Sequence, residues 1–199
     1  MQKNQNALTF NHVLMHSTRQ GAVMNASNPN VYDGYPKPEL IEQAHLAAIA
    51  REKREREEAI RRQPDFAMAH AELGFIHSQR VMYAFTEEMD EEADAALRAV
   101  NKAYELAPRD PTVMERTALV WFNLGLKNRS VRLLKELLKA APHDLVAWGY
   151  LGCAMAMGGS KEGVEEGKGI LARLLAIAPR HPSVPFWNYF SAGAYAQSG

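Results

Sequence analysis

One short phrase recurs along this chain and limits what it can fold into: a helix-forming stretch, a proline, two to five residues, then another helix-forming stretch. It reads Pro64-Asp65-Phe66-Ala67, Pro108-Arg109-Asp110-Pro111, Pro142-His143-Asp144-Leu145 and Pro179-Arg180-His181-Pro182. The leading prolines are 44, 34 and 37 residues apart. Proline cannot continue a helix interior, but a helix boundary tolerates it because no backbone donor is needed there. The phrase therefore divides the chain into repeating units of short helices.

Between the prolines the apolar residues keep the helical period. Ala93, Ala96, Leu97, Val100, Ala103 and Tyr104 form one stripe. Leu133, Leu134, Leu137 and Leu138 form a second, and Ile170, Leu171, Leu174, Leu175 and Ile177 a third. No comparable alternating run supports a sheet. Helices are expected at about 66–80, 89–106, 112–125, 130–140, 145–157, 163–177 and 185–197. The N-terminal third reads differently. A helix is expected at about 7–20, then an irregular connection at 25–38 containing Asn25, Ser27, Asn28, Pro29, Asn30, Asp33, Gly34, Pro36 and Pro38. A long polar helix follows from about Glu39 to Gln63, with Glu52–Arg56 and Glu57–Arg61 at the favourable i,i+4 spacing. The expected fold is all-α, with an N-terminal extension (1–38) and a helical-repeat domain (39–199).

These residues resemble the tetratricopeptide (TPR) family, whose repeat places bulky, small and aromatic residues at fixed positions before a proline. After Pro64 the chain gives His70, Leu73, Gly74 and His77, then Ala96, Val100, Ala103 and Pro108. After Pro111 it gives Met114, Thr117, Ala118 and Trp121, then Ser130, Leu134, Leu137 and Pro142. After Pro142 it gives Trp148, Leu151, Gly152 and Met155, then Gly167, Leu171, Leu174 and Pro179. The last segment supplies Ala192, Tyr195 and Gly199. The match runs over about 59–199. It departs from the pattern at His70 and His77, at Leu137 and Leu174 where a small residue is usual, and in an insertion around Tyr83–Glu92. A TPR-like α-solenoid is what the resemblance implies. Small residues at the eighth and twentieth positions let paired helices approach closely.

The resemblance also implies a function: holding a segment of another protein in a concave groove lined by the first helix of each unit. The groove positions fall on Met68, Ala71, Phe75 and Ser78, on Thr112, Glu115, Leu119 and Phe122, and on Val146, Gly149, Cys153 and Ala156. That set is mostly apolar, so an apolar or amphipathic partner segment is expected, either foreign or the chain's own residues 1–35. The Lys and Asn residues with which chaperone-binding TPRs clamp a terminal carboxylate are not matched. A narrower resemblance rests on Pro-Asp-Phe-Ala-x-Ala-x-Ala-x-Leu (64–73), His-Pro-x-x-Pro (181–185) and Ala194-Tyr195. It is to TPR segments of bacterial class III adenylate cyclases and winged-helix transcriptional regulators, and implies a regulatory or sensing module as the alternative.

Charge and chemistry narrow the function further. Lys plus Arg and Asp plus Glu number 23 each, so no global field favours nucleic acid or an anionic membrane. Neither is expected as a partner; self-association is allowed. No run of apolar residues suggests a membrane span. Cys153 is the single cysteine, which excludes an intramolecular disulfide and fits a reducing, cytoplasmic setting. His12 and His16, four apart on a predicted helix, lack a third ligand nearby. His70 and His77 sit seven apart on one face and are expected to be buried and hydrogen-bonded, while His143 and His181 cap turns. The run Glu87, Glu88, Asp90, Glu91, Glu92 and Asp94 lacks the EF-hand pattern and complements a helix start. Gly158-Gly159-Ser160-Lys161 lacks the phosphate-loop spacing and reads as a turn. With no recognisable catalytic arrangement and no flanking cation to activate Cys153, an enzyme is not expected, nor any cofactor or metal.

Overall fold

The computed structural model describes residues 38–83, 85–158 and 160–196. The expected helix at 7–20, the connection at 25–37, and His12 and His16 lie outside the described residues. Among the described residues there are eight helices and no strand: α1 (Pro38–Arg62), α2 (Ala67–Met82), α3 (Met89–Leu106), α4 (Pro111–Asn123), α5 (Lys127–Ala140), α6 (Leu145–Ala156), α7 (Lys161–Ile177) and α8 (Val184–Ala196). The largest boundary difference from the sequence reading is at α5, which begins three residues early, at Lys127.

The four proline phrases form four copies of one turn. The N–H of Phe66, Asp110, Asp144 and His181 donates to the carbonyl three residues back, of Gln63, Ala107, Ala141 and Ala178, at 3.1, 3.2, 3.2 and 3.0 Å. Each time the proline is the second residue, where its fixed φ suits the turn. Asp110 and Asp144 then cap the next helix: Asp110 accepts from Thr112 and Val113, Asp144 from Ala147. Two of the units share a further contact. A ring nitrogen of His70 bonds the Pro64 carbonyl, and Trp148 Nε1 donates to that of Pro142, each spanning six residues.

Within each unit, small residues let the two helices close. A Cβ on Gly74 would stand 3.0 Å from the Ala96 carbonyl oxygen and 2.6 Å from Val100 Cγ1. Ser130 donates to the Ala118 carbonyl at 2.8 Å. A Cβ on Gly167 would overlap the backbone of Ala156 and Gly152. The turn from α4 into α5 needs Gly125 at φ 76°, a conformation costly for other residues. Leu137 and Leu174, bulky where a small residue is usual, are both buried; each contributes on the order of 2 kcal/mol of apolar burial.

Every helix packs on the next along the chain, and α2, α4, α6 and α8 also touch in succession. Between helices further apart in the chain, contact is through long side chains, as where Phe122 of α4 meets Phe186 and Phe190 of α8. One core cluster joins α4, α5 and α6 through Leu119, Leu134, Leu137 and Leu151; another joins α4, α6, α7 and α8 through Phe122, Cys153, Leu171 and Trp187. No helix among the described residues is long and apolar enough to cross a membrane.

The acidic run is not wholly a solvated helix start. Glu92 is buried, and its carboxylate binds His77 Nδ1, lies 2.9 Å from Arg80 Nε without hydrogen-bond alignment, and lies 4.0 Å from Lys53 Nζ. It ties α1, α2 and α3 together. On α1 the ion pairs among the described residues are Arg51–Glu55, Arg61–Glu58 and Arg62–Glu58, in place of the expected Glu52–Arg56 and Glu57–Arg61.

Candidate functional site

The residues expected to line a groove lie on α2, α4 and α6, three helices that pack in succession. Their exposure differs. Thr112 is exposed, while Met68, Phe75, Glu115 and Val146 are half-buried. Leu119, Phe122 and Cys153 are buried, as are Ala71, Ser78, Gly149 and Ala156. Phe122 is covered by the chain itself. Its ring packs edge-on against Tyr150 at 5.3 Å and against Phe190 of α8 at 5.4 Å, with Phe186 at 6.2 Å. Cys153 is fully enclosed, and burial pushes its thiol well above the ordinary range. It packs rather than reacts.

Charged groups the sequence reading did not single out stand beside the half-buried positions. Arg116 donates through Nε to Glu72 Oε1 at 2.7 Å, and its guanidinium lies 4.8 Å from the centre of the Phe75 ring. Its other nitrogen is 3.5 Å from Glu115 Oε1. Glu115 also hydrogen-bonds Asp144, the residue that caps α6. Two carboxylates, Glu72 and Glu115, therefore share one guanidinium, with Asp144 against the second of them. Burial, then the Asp144 charge and hydrogen bond, push the Glu115 carboxyl up to about 7, against the opposing pull of Arg116.

Further along, aromatic rings replace the charges. Tyr150 lies 5.0 Å from Phe186, and burial raises its hydroxyl above the usual phenol range; Tyr83, near enough to add to that shift, is itself raised by burial. Asn123 donates to the Ser78 hydroxyl at 3.0 Å, which in turn donates to the Phe75 carbonyl at 2.8 Å, tying α4 to α2.

The missed residues had a signal in the sequence. Glu72, Arg116 and Tyr150 each stand eight residues after a phrase proline, Pro64, Pro108 and Pro142. Opposite charges in one repeat column mark a contact between successive units. Among the described residues no three His, Cys, Asp or Glu side chains are grouped to hold a metal ion. His77 is buried on Glu92, His70 is held by the Pro64 carbonyl, and His181 accepts from the Ser183 N–H while stacking on Trp187.

The face thus presents flat rings and a partly desolvated cluster in which carboxylates outnumber the guanidinium beside them. No family model matches the chain, and no curated protein matches it.

Proposed function

We propose that the chain is a TPR-type protein-interaction module that holds an amphipathic, basic segment of a partner protein across α2, α4 and α6. The observation that carries this is the pairing of Glu72 and Glu115 with the single guanidinium of Arg116, half-buried beside Phe75, with Asp144 adding a third carboxylate against Glu115. Desolvated carboxylates outnumber the cations beside them, so a further cation gains from binding there. Phe75 and Val146 give an adjoining apolar residue somewhere to pack. The apolar anchors expected at Leu119, Phe122 and Cys153 are occupied by this chain's own packing, so the reading moves from an apolar segment to a mixed one. Repeated turns, small-residue contacts and successive packing of α2, α4, α6 and α8 support the TPR-type reading of the array.

The test is fluorescence polarisation with two labelled helical peptides of equal length, one pairing Leu with Arg on a face, the other Leu with Glu. The Arg peptide is expected to bind at least about ten-fold more tightly, a difference of about 1.4 kcal/mol. Glu115→Gln with Phe75→Ala should remove most of that binding. Equal affinity for both peptides, or binding that ignores the double variant, rejects the proposal.

A further inference from the structure

A cleft of about 350 Å³ opens between α3, α4 and α5, lined by Tyr104, Trp121, Arg129, Arg132, Leu133 and Glu136. Its size is at the small end for a site that takes a small molecule. Tyr104 and Trp121 are half-buried, and Leu133 is buried. Trp121 Nε1 is closed off from solvent, so the indole offers the cleft its carbon surface. Arg129 and Arg132 are exposed. They stand three residues apart on α5 and so share a face, where like charges repel. Neither has an ion pair or a hydrogen bond from its side chain among the described residues. The one carboxylate in the lining, that of Glu136, pairs with Lys139 at 2.7 Å.

The neighbouring units show that this combination is not a property of the repeat. Arg129 stands thirteen residues before Pro142, and Glu166 thirteen before Pro179. Glu166 pairs with Lys135 of the preceding α5 at 3.7 Å. Lys135 stands seven residues before Pro142, and the residue seven before Pro108 is Asn101. Where the later unit carries an ion pair, this one carries an arginine and an uncharged residue. Arg132, Tyr104 and Trp121 correspond in the later unit to Gly169, Leu138 and Met155. In the earlier unit, Ala95 and His77 stand in the places of Arg129 and Trp121. Two rings thus meet two arginines that the chain does not neutralise. A guanidinium fork matches a carboxylate, and one anion shared by two of them removes their repulsion. Ring surfaces take a flat apolar body. We propose that this cleft binds a small aromatic carboxylic acid, its rings against Tyr104 and Trp121 and its carboxylate on Arg129 and Arg132. The site shares no residue with the partner-binding group around Arg116 and stands without it.

Calorimetric titration of the full chain with indole-3-acetate tests this. A Kd at or below about 1 mM is expected for a molecule of that size. Indole-3-acetamide keeps the rings without the charge, and cyclohexaneacetate keeps the charge without a flat ring. Each should bind at least about ten-fold more weakly. Arg129→Gln combined with Arg132→Gln should weaken indole-3-acetate at least about ten-fold. Circular dichroism should not change, since both residues are exposed. Arg98→Gln, exposed one unit earlier, should bind as the wild type does. No binding to the full chain overturns the proposal. So does either control ligand binding as tightly as the acid, or a double variant that binds as well as the wild type. Binding that appears only in Asp33→Asn would give the cleft to the chain's own Tyr32-Asp33 and overturn it too.

Discussion

Trp148 donates its indole N–H to the carbonyl oxygen of Pro142 at 2.9 Å, and a ring nitrogen of His70 makes the same six-residue contact with Pro64 at 2.8 Å. The device fixes the first turn of a helix against the turn that precedes it. Trp148→Phe keeps a ring for packing and removes the donor. It should cost about 0.5–1 kcal/mol, because water can reach the freed carbonyl. Urea melts would show the shift; a loss several times larger would mean the indole is held chiefly by its packing.

Two glycines of α7 make opposite predictions. A Cβ at Gly167 overlaps the α6 backbone, while one at Gly169 meets nothing within 4 Å. Gly167→Ala should lose about 1–3 kcal/mol by overpacking. Gly169→Ala should gain up to about 1 kcal/mol from helix propensity. Gly74→Leu and Gly152→Leu belong with the first, and thermal denaturation of the set would rank them.

Glu115 makes stability depend on pH. Its folded-state carboxyl titrates near 7, above an ordinary value of 4.5. The folded chain therefore holds the proton more tightly. The resulting stabilisation is complete below 4.5 and is lost as pH rises through about 7. Between pH 5 and 8 the wild type should lose on the order of 1–3 kcal/mol that Glu115→Gln does not lose. Parallel denaturation curves for the two proteins across that range would contradict the assignment.

His77 acts in the other direction. Burial holds its imidazole below the usual 6.5, against the opposing pull of Glu92. The unfolded chain binds that proton first, so stability falls as pH drops below 6.5. An NMR titration should show the His77 ring protonating below the usual 6.5. Glu92→Gln strands Arg80 and Lys53 beside a neutral group, and should destabilise by about 3 kcal/mol.

Phe75 and Phe122 separate binding from folding. Phe75 is half-buried under Arg116, and Phe75→Ala should weaken partner binding with a small change in melting. Phe122 is packed among Tyr150, Phe186 and Phe190, and Phe122→Ala should cost about 3–5 kcal/mol of stability. A variant of Phe122 that melts like the wild type would place that ring outside the core.

The helices could be read from sequence because each is bounded by a proline turn and carries a 3.6-residue apolar stripe. Gly74, Gly152, Ser130 and Gly167 were likewise legible, since close helix contact demands small residues. Side-chain destinations were less so. Phe122 and Leu119 looked like groove residues because repeat position alone does not say whether another helix covers them; α8 buries the first and α5 and α6 the second. Glu92 looked solvated because its neighbours in sequence are acidic, whereas its partners come from two other helices. Glu115 is half-buried on α4, but its proton affinity depends on Asp144, 29 positions away, and on the exclusion of water around both.

The limited range of contacts along this chain also shapes how it comes apart. Among the described residues most helix contacts are with immediate and next-but-one neighbours, the packing of Phe122 of α4 against Phe186 and Phe190 of α8 being the longer-range exception, so few distant segments have to arrive before a unit can form. Such a chain closes its loops cheaply and should fold quickly for its size. The same arrangement lets the ends open without the middle. Amide protons in α8 and α1 should exchange first, and those of α4 and α5, flanked on both sides, last.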